Sequence, residues 1–279
     1  MNRRDFLRTS ALSAAAFAVS RRWVLPSTQR PNFVLIVIDD LGWNNVGFMG
    51  SRFYETPNLD RLAKDSVVFT NAYANAPNCA PTRASLLTGQ YTPRHGIYTV
   101  GNSARGPSRL RKLIPIPNRT VLPSWEVTIA EALKPAGYVS ASIGKWHLGR
   151  DPESGPVSQG FDLNVGGYEK GHPVRYFSPY RNPFLKDGPK GEYLTDRLTT
   201  EAISFIRKNR DRPFFLYFPT YAVHTPLQAP DDVVAKYRKK PRFHGQANPV
   251  HGAMVEIVDR NVGRLMAALD ELGLAEKTV

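Results

Sequence analysis

Three segments of the sequence place acidic or basic side chains directly after an apolar run: IVIDDLGW, GKWHLG and VHTP. The side chains are Asp39, Asp40, Lys145, His147 and His224. Each of them alone also fits a structural role, such as a turn residue or a core histidine. Because open parallel sheets bind ligands beyond the carboxyl ends of their strands, we expect these groups to meet at one sheet edge.

The single cysteine of the chain, Cys79, lies in the segment CAPTRASLLTG. A lone cysteine is usually a small buried hydrophobic residue, but the polar neighbours here are not those of a core segment. The spacing predicts a helix that begins near Pro81 and is capped by Gly89. The free N–H groups of a helix N-terminus favour an anion, and Arg83, one turn into the helix, adds a bidentate donor.

These residue types together indicate ester hydrolysis. Adjacent carboxylates such as Asp39 and Asp40 repel each other unless a cation neutralises them. Oxygen ligands without a zinc-type spacing favour a hard divalent ion, Ca²⁺ ahead of Mg²⁺. The cation, Arg83, Lys145 and the helix terminus would surround a tetrahedral anion, which predicts a hydrolase of sulfate or phosphate esters.

The predicted elements that carry these groups alternate between strand and helix. The continuous apolar run 32–40 indicates a central parallel strand that is buried on both faces. The alternation predicts an α/β fold, a doubly wound and mostly parallel sheet with helices on both faces. The sequence predicts strands over 32–40, 66–74, 138–144 and 213–218, and helices from Pro57 through NLDRLAKD, from Pro81 to Gly89, and over 128–138, 195–209 and 250–273.

The first 30 residues are predicted to be an export signal and linker. Arg3 and Arg4 precede Asp5, Phe6 and Leu7 as in a twin-arginine motif, and a short apolar run follows. That run is too short to span a bilayer, so no stable membrane insertion is expected. We therefore expect export by the twin-arginine (Tat) machinery to the periplasm or the extracellular space.

The net charge of the chain is +13. Residues 1–30 contain six Arg and one Asp and so contribute +5 of this charge. The remaining basic charge fits an anionic substrate or polyanion. A basic run interleaved with aromatic residues is absent from the sequence, which argues against nucleic-acid binding. Loops 101–124 and 150–192 are expected to shape the pocket for the alcohol half of the substrate. Their basic residues, Arg105, Arg109, Arg111 and Lys112, point to polyanionic glycans.

The motifs carry a family resemblance. CAPTRASLLTG resembles the signature of the type I sulfatases, Cys-x-Pro-Ser-Arg followed by Leu-Thr-Gly. IVIDDLGW, GKWHLG and VHTP are similar to the family's other blocks in the same order, and TPNLDRLA and QGFD are similar to its connecting segments. The likeness runs from about residue 31 to residue 279 and implies the fold of the alkaline phosphatase superfamily.

The resemblance implies that Cys79 is oxidised to Cα-formylglycine by a formylglycine-generating enzyme. One hydroxyl of the aldehyde hydrate would attack sulfur and expel the alcohol, and the second would then help to expel sulfate and regenerate the aldehyde. Asp39 and Asp40 would ligate calcium, which would also contact the modified Cys79 and a sulfate oxygen.

The resemblance also implies roles for the basic residues. Arg83 would orient the formylglycine and stabilise charge, and Lys145 would bind the sulfate. His147 would act as the base toward the hydrate, and His224 would donate a proton to the leaving oxygen and contact the substrate. The implied substrate is an aryl or carbohydrate sulfate.

The sequence departs from the family pattern in two places. Thr82 stands where the family usually has Ser, so a hydroxyl is retained. The family's later Asp-Asn metal ligands and second sulfate-binding lysine have no counterpart up to Val279. We therefore expect residues 31–279 to be the N-terminal portion of a catalytic domain, with an exposed sheet edge.

Two other functions stay open at this stage. A phosphatase or phosphonate monoester hydrolase of the same superfamily would also use a metal and a strand-end carboxylate. A non-catalytic exported protein could instead bind sulfated polysaccharide through its basic residues. The first rival usually carries a nucleophilic Ser or Thr, whereas this chain carries Cys79.

Overall fold

Four parallel strands form the sheet of the computed structural model, which describes residues 30–279. The strands are β1 Phe33–Val37, β2 Val139–Ile143, β3 Leu163–Val165 and β4 Phe214–Pro219. Their order across the sheet is β1-β4-β2-β3. Each sequence-adjacent pair is joined by a crossover, as parallel strands require. The predicted export signal and linker lie outside the described residues, apart from Arg30.

The helices alternate with the strands along the chain. They are α1 Pro57–Lys64, α2 Cys79–Thr88, α3 Thr92–His95, α4 Ile129–Leu133, α5 Leu194–Lys208, α6 Asp231–Arg238 and α7 Pro249–Glu271. Short 3-10 turns cover Gly47–Met49, Ser108–Leu110, Lys134–Ala136, Val157–Gln159 and Ala275–Lys277. In the part of the chain that the structure describes, we find no helix long and apolar enough to cross a membrane.

Helices cover both faces of the sheet, as the sequence predicts. Side chains alternate along β4, so Leu216 packs in the larger cluster with α5, α6 and α7. Tyr217 packs in the smaller cluster on the opposite face, with α2 and α4. The predicted doubly wound α/β fold is confirmed.

Strand β1 does not have the central place that its apolar sequence predicts. Within residues 30–279 it pairs with β4 along one side, and its five residues are half-buried rather than buried. On its other side Asn32 forms an isolated parallel bridge with Thr278, and the Val34 N–H donates to the Val279 carbonyl at 2.8 Å. Beyond these contacts, β1 has no ladder on this side among residues 30–279.

The predicted strand over 66–74 is wrong. The segment forms no ladder with any strand in the described part of the chain, and Phe69 is 78% exposed. Its β-branched and aromatic residues favour a strand, but β-propensity acts only where a neighbouring strand supplies hydrogen bonds.

Two predicted helices have different bounds in the structure. Helix α2 begins at Cys79, two residues before Pro81, so that Asn78 is the N-cap. The predicted helix 128–138 ends as an α-helix at Leu133 and continues as a 3-10 turn. Pro135 lies in that turn, where its missing N–H and its ring interrupt the α-helical pattern.

Candidate active site

The carboxyl ends of β1, β4 and β2 lie side by side and are joined by hydrogen bonds beyond the strands. The Asp39 N–H donates to the Ala222 carbonyl at 3.1 Å, and the Val223 N–H donates to the Asp39 carbonyl at 2.7 Å. On the other side of β4, the Lys145 N–H donates to the Pro219 carbonyl at 2.7 Å. The predicted meeting of these strand ends at one sheet edge is therefore found.

Asp39 accepts from two buried cations. Its Oδ1 lies 3.2 Å from Nη2 of Arg83, and its Oδ2 forms an ion pair with Nζ of Lys145. Nη1 of Arg83 also donates to the Lys145 carbonyl at 2.9 Å and to the Tyr217 hydroxyl at 3.3 Å. One carboxylate among two cations leaves a net positive charge in a buried place, which favours an anion.

His147 lies at the end of β2, beside this cluster. Its backbone is left-handed, with φ of 64°, and its N–H donates to the Tyr168 carbonyl at 2.9 Å. Burial, and then the charges of Lys145 and Arg83, lower the pKa of His147 to about 3. The imidazole is therefore neutral at ordinary pH, as a proton acceptor must be, and its buried Nδ1 has no hydrogen-bond partner among the described residues.

His224 follows β4 and lies beside the second aspartate. Its Nε2 is 3.6 Å from Oδ2 of Asp40, and its Nδ1 is 2.8 Å from the Thr225 carbonyl. Its ring also stacks on His172 at 6.3 Å between centroids, with the planes 11° apart. This pair forms one rim of the site.

Cys79 is the first residue of helix α2 and is half-buried. Arg83 lies four residues later, one turn along the same helix. Burial works to lower the pKa of Arg83, but the charges of Tyr217, Asp39 and Cys79 raise it. The thiol of Cys79 and the guanidinium of Arg83 are therefore close enough to interact electrostatically. Cys79 also lies at a helix N-terminus, whose free N–H groups attract negative charge. The Thr82 hydroxyl donates to the Ala76 carbonyl at 2.9 Å and so holds the segment before Cys79.

The predicted metal ligands Asp39, Asp40 and Cys79 do not form a cation cage. Among residues 30–279, no group of three or more His, Cys, Asp or Glu side chains is arranged to hold a metal ion. Both oxygens of Asp39 accept from Arg83 and Lys145, whereas Asp40 is 61% exposed and approaches His224. The two carboxylates fit a hard cation in chemistry, but by themselves they supply an incomplete ligand set.

Sequence reasoning missed two residues of the site, Tyr217 and His172. Tyr217 lies inside β4, where alternation predicts a core residue, and its buried hydroxyl accepts from Arg83. His172 lies in the loop 150–192. A Cβ on its neighbour Gly171 would lie 2.3 Å from Cε1 of His147, so this loop passes directly over the His147 ring. His172 could have been suspected only from its place in a loop that the sequence assigns to the pocket. No local sequence pattern distinguishes Tyr217 from an ordinary core residue.

Two curated relatives are similar to most of this chain. The N-acetylgalactosamine-6-sulfatase of Homo sapiens is 34% identical over 272 residues, which cover 90% of this chain and 48% of the relative. A sulfatase of Formosa agariphila is 34% identical over 323 residues, which cover 91% of this chain and 57% of the relative. The chain thus spans about half the length of the curated relatives it matches.

A solved structure agrees in fold. The crystal structure of Ps i-CgsB in complex with k-i-k-neocarrahexaose superposes with a TM-score of 0.73 and 33% identity. The match covers 90% of this chain and 57% of the solved one. The model of the Sulfatase family matches residues 31–279, which contain every site residue described above. The resemblance read from the motifs is confirmed: the chain belongs to the sulfatase family.

Proposed function

We propose that this protein hydrolyses sulfate esters, with Cys79 in its formylglycine form as the nucleophile. The observation that carries the proposal is the place of Cys79, at the N-terminus of α2 and one turn from Arg83. Arg83 and Lys145 share one carboxylate, Asp39, so positive charge exceeds negative charge where a sulfate would lie. Converted to formylglycine, Cys79 would supply a hydroxyl nucleophile in place of a thiol.

The neighbouring side chains are suited to hold and move protons. His147 would act as the base toward the hydrate. Its pKa is lowered to about 3 by burial and by the charges of Lys145 and Arg83, so a bound sulfate that offsets those charges would raise the pKa toward the range that a base needs. His224, whose Nε2 lies 3.6 Å from Oδ2 of Asp40, would donate a proton to the leaving alcohol oxygen. Lys145 and Arg83 would hold the sulfate oxygens through charge-assisted hydrogen bonds.

A divalent cation belongs to the proposal as well. Sulfatases generally use a formylglycine and a divalent cation. Here Asp39 and Asp40 would contribute oxygen ligands, and the all-oxygen chemistry favours Ca²⁺ over Mg²⁺. Since these two carboxylates leave the ligand set incomplete, we assign the ion no step in the reaction.

The wider setting of the protein is proposed from its sequence and its relatives. A carbohydrate sulfate is the favoured substrate, because one relative is named for N-acetylgalactosamine-6-sulfate and a similar structure holds a neocarrahexaose. The twin-arginine motif supports export by the Tat machinery to the periplasm or the extracellular space. The formylglycine-generating enzyme is the proposed partner that modifies Cys79.

Two measurements on one preparation test the proposal. The protein is produced together with a formylglycine-generating enzyme, and the peptide spanning residues 72–94 is analysed by mass spectrometry. We expect formylglycine at position 79, and hydrolysis of an aryl sulfate much faster than of the matching aryl phosphate. The control is Cys79→Ala, which should abolish both signals. An unmodified thiol together with preferred phosphate hydrolysis would instead assign the site to a phosphatase of the same fold.

A further inference from the structure

One segment of this chain carries basic residues without any acidic residue. Residues 66–125 contain seven Lys and Arg and no Asp or Glu, and they are bounded by Asp65 and Glu126. The same segment contains Cys79 and Arg83. Arg83 is buried in the site. The other six basic residues are exposed, apart from Arg111, which is half-buried.

Two of these arginines line a surface cleft of about 380 Å³, here called the basic cleft and defined by Arg94, Tyr98, Asn118 and Arg119. Arg94 and Arg119 are both exposed, and neither forms an ion pair with a carboxylate of residues 30–279. Arg119 lies over the exposed ring of Trp125, with its Cζ 5.2 Å from the ring centroid. Unpaired guanidinium groups beside exposed aromatic rings are the groups that bind sulfated sugars, since arginine pairs with oxyanions and a ring covers a sugar face.

Hydrogen bonds connect the basic cleft to the N-terminus of helix α2. Oδ1 of Asn118 accepts from the N–H groups of Tyr98 and Thr99, at 2.7 and 3.1 Å. The Thr99 hydroxyl then accepts from Nδ2 of Asn78 and from Nη2 of Arg105, both at 3.1 Å. Asn78 immediately precedes Cys79, so Arg105 lies between the basic cleft and the site.

We propose that the basic cleft and Arg105 form a subsite for additional sulfate groups of a polysulfated glycan whose reacting sulfate lies at Cys79. This inference rests on the proposed function and narrows its substrate to a chain that carries several sulfates. Arg105 serves the sulfate nearest the reacting one, and Arg94 with Arg119 serves a more distant one. Trp125 offers a face for the intervening sugar.

The test measures binding to the 279-residue chain by isothermal titration calorimetry, so it needs no turnover. The ligands are a polysulfated hexasaccharide, its desulfated form, a monosulfated monosaccharide, single-stranded DNA of equal charge and phosphatidylserine vesicles. The test variant is Arg94→Gln/Arg119→Gln. The matched control is Lys208→Gln/Lys239→Gln, which removes the same charge at two exposed residues on α5 and just after α6. Circular dichroism checks that both variants fold.

We expect the test variant to weaken binding of the polysulfated hexasaccharide at least about tenfold, the loss typical of removing a hydrogen bond to a charged group. The control variant should stay within about twofold of the wild type, and the desulfated hexasaccharide should not bind. If the glutamine variant fails to fold, Arg94→Lys/Arg119→Lys keeps the charge and loses the bidentate geometry, and it should still bind less tightly.

Three results would overturn the inference. Equal weakening by both variants would mean that net charge alone matters. DNA or vesicles that bind as tightly, and lose as much with the test variant, would show a general polyanion surface or a membrane surface. Unchanged binding in the test variant would place the contacts elsewhere. A failure of the proposed function looks different: an unmodified Cys79 or an absence of sulfate hydrolysis leaves these binding results unaltered.

Discussion

Asp39 and Asp40 are adjacent in the sequence, yet they serve different partners. Asp39 is 6% exposed and lies among two buried cations, whereas Asp40 has a left-handed backbone, with φ of 58°, and approaches His224. A change of direction at this residue separates two like charges that would repel each other side by side. Asp39 is therefore the counter-charge of the buried cations, whereas Asp40 belongs to the rim of the site.

Removal of the Asp39 charge should destabilise the fold. In Asp39→Asn, Lys145 and Arg83 remain buried without their counter-charge, so we expect the free energy of unfolding to fall by about 3–5 kcal/mol. Urea denaturation measures the change. The control is Glu271→Gln, whose exposed carboxylate lies 3.7 Å from Arg207, and it should cost less than about 1 kcal/mol. Equal losses in the two variants would contradict a buried charge cluster.

His95 should make the fold sensitive to acid. Burial lowers its pKa, its Nδ1 accepts from the Ile97 N–H at 3.1 Å, and its Nε2 lies 3.0 Å from the Ser85 hydroxyl on α2. Below pH about 6.5 the unfolded histidine binds a proton that the folded one resists, so stability falls with pH by up to about 1.4 kcal/mol per unit.

The check on His95 compares unfolding free energies at pH 7.5 and pH 5.5. His95→Asn keeps an acceptor oxygen for Ile97 but cannot titrate, so its loss between the two values should be smaller than that of the wild type. The remaining acid loss of the variant reports the half-buried histidines His147 and His251, whose pKa values burial also lowers. A variant with the same loss as the wild type would refute this role for His95.

The site residues found by the sequence are those that follow a strand or begin a helix. Asp39, Lys145 and His224 were predictable because a strand end is encoded locally and parallel topology then fixes where it lies. His172 and Tyr217 were not, because their contacts with His224 and Arg83 join parts of the chain that are distant in sequence. The sequence also did not reveal that the predicted metal-ligand set is incomplete, because residue type does not show which partner a carboxylate contacts.

At the scale of elements, the strand predictions that failed depend on neighbouring strands. The helices 195–209 and 250–273 agree with α5 and α7 within two residues, because an amphipathic period and a cap act within the helix itself. The segment 66–74 and strand β1 have strand-like sequences, but pairing and centrality depend on which strands lie beside them. The short strand β3 carries too few residues to show a period.

The turn after β2 should tolerate only glycine at position 144. Gly144 has φ of 130°, and a Cβ there would lie 2.0 Å from the Pro219 carbonyl oxygen, the acceptor of the Lys145 N–H. Gly144→Ala must therefore separate the ends of β2 and β4 and shift Lys145. We expect a loss of at least about 1–3 kcal/mol in unfolding free energy, together with weaker sulfate binding.

Gly50→Ala is the matched control for the clash at Gly144. Gly50 has φ of 99° with open space around its would-be Cβ, so the substitution adds backbone strain alone. We expect a cost of about 1–2 kcal/mol and unchanged sulfate binding. Thermal unfolding and calorimetric titration with sulfate measure both effects. If Gly50→Ala weakened sulfate binding as much as Gly144→Ala, the contact with Pro219 would not be the cause.

At the scale of the whole molecule, the described chain leaves an apolar face beside the open edge of β1. Val67, Phe69 and Tyr73 are exposed, and their segment borders a cavity of about 620 Å³ whose walls include Ile38 and Leu59. Unpaired edges and contiguous apolar surface both promote association between protein molecules. The sheet therefore has the charged candidate site at one end and an exposed apolar surface along one side.

This surface should govern self-association of the 279-residue chain. Val67→Ser/Phe69→Ser removes two exposed apolar side chains, so we expect less oligomer at micromolar concentration and weaker binding of a hydrophobic dye. Unfolding free energy should change by no more than about 0.5 kcal/mol, because neither side chain packs in a core. The control, Val157→Ser/Val174→Ser, changes two exposed valines away from this face and should leave association unaltered. Sedimentation velocity measures the effect. Equal association of both variants and the wild type would show that another surface joins the molecules, since the loss of the two largely exposed side chains at 67 and 69 would then have no effect.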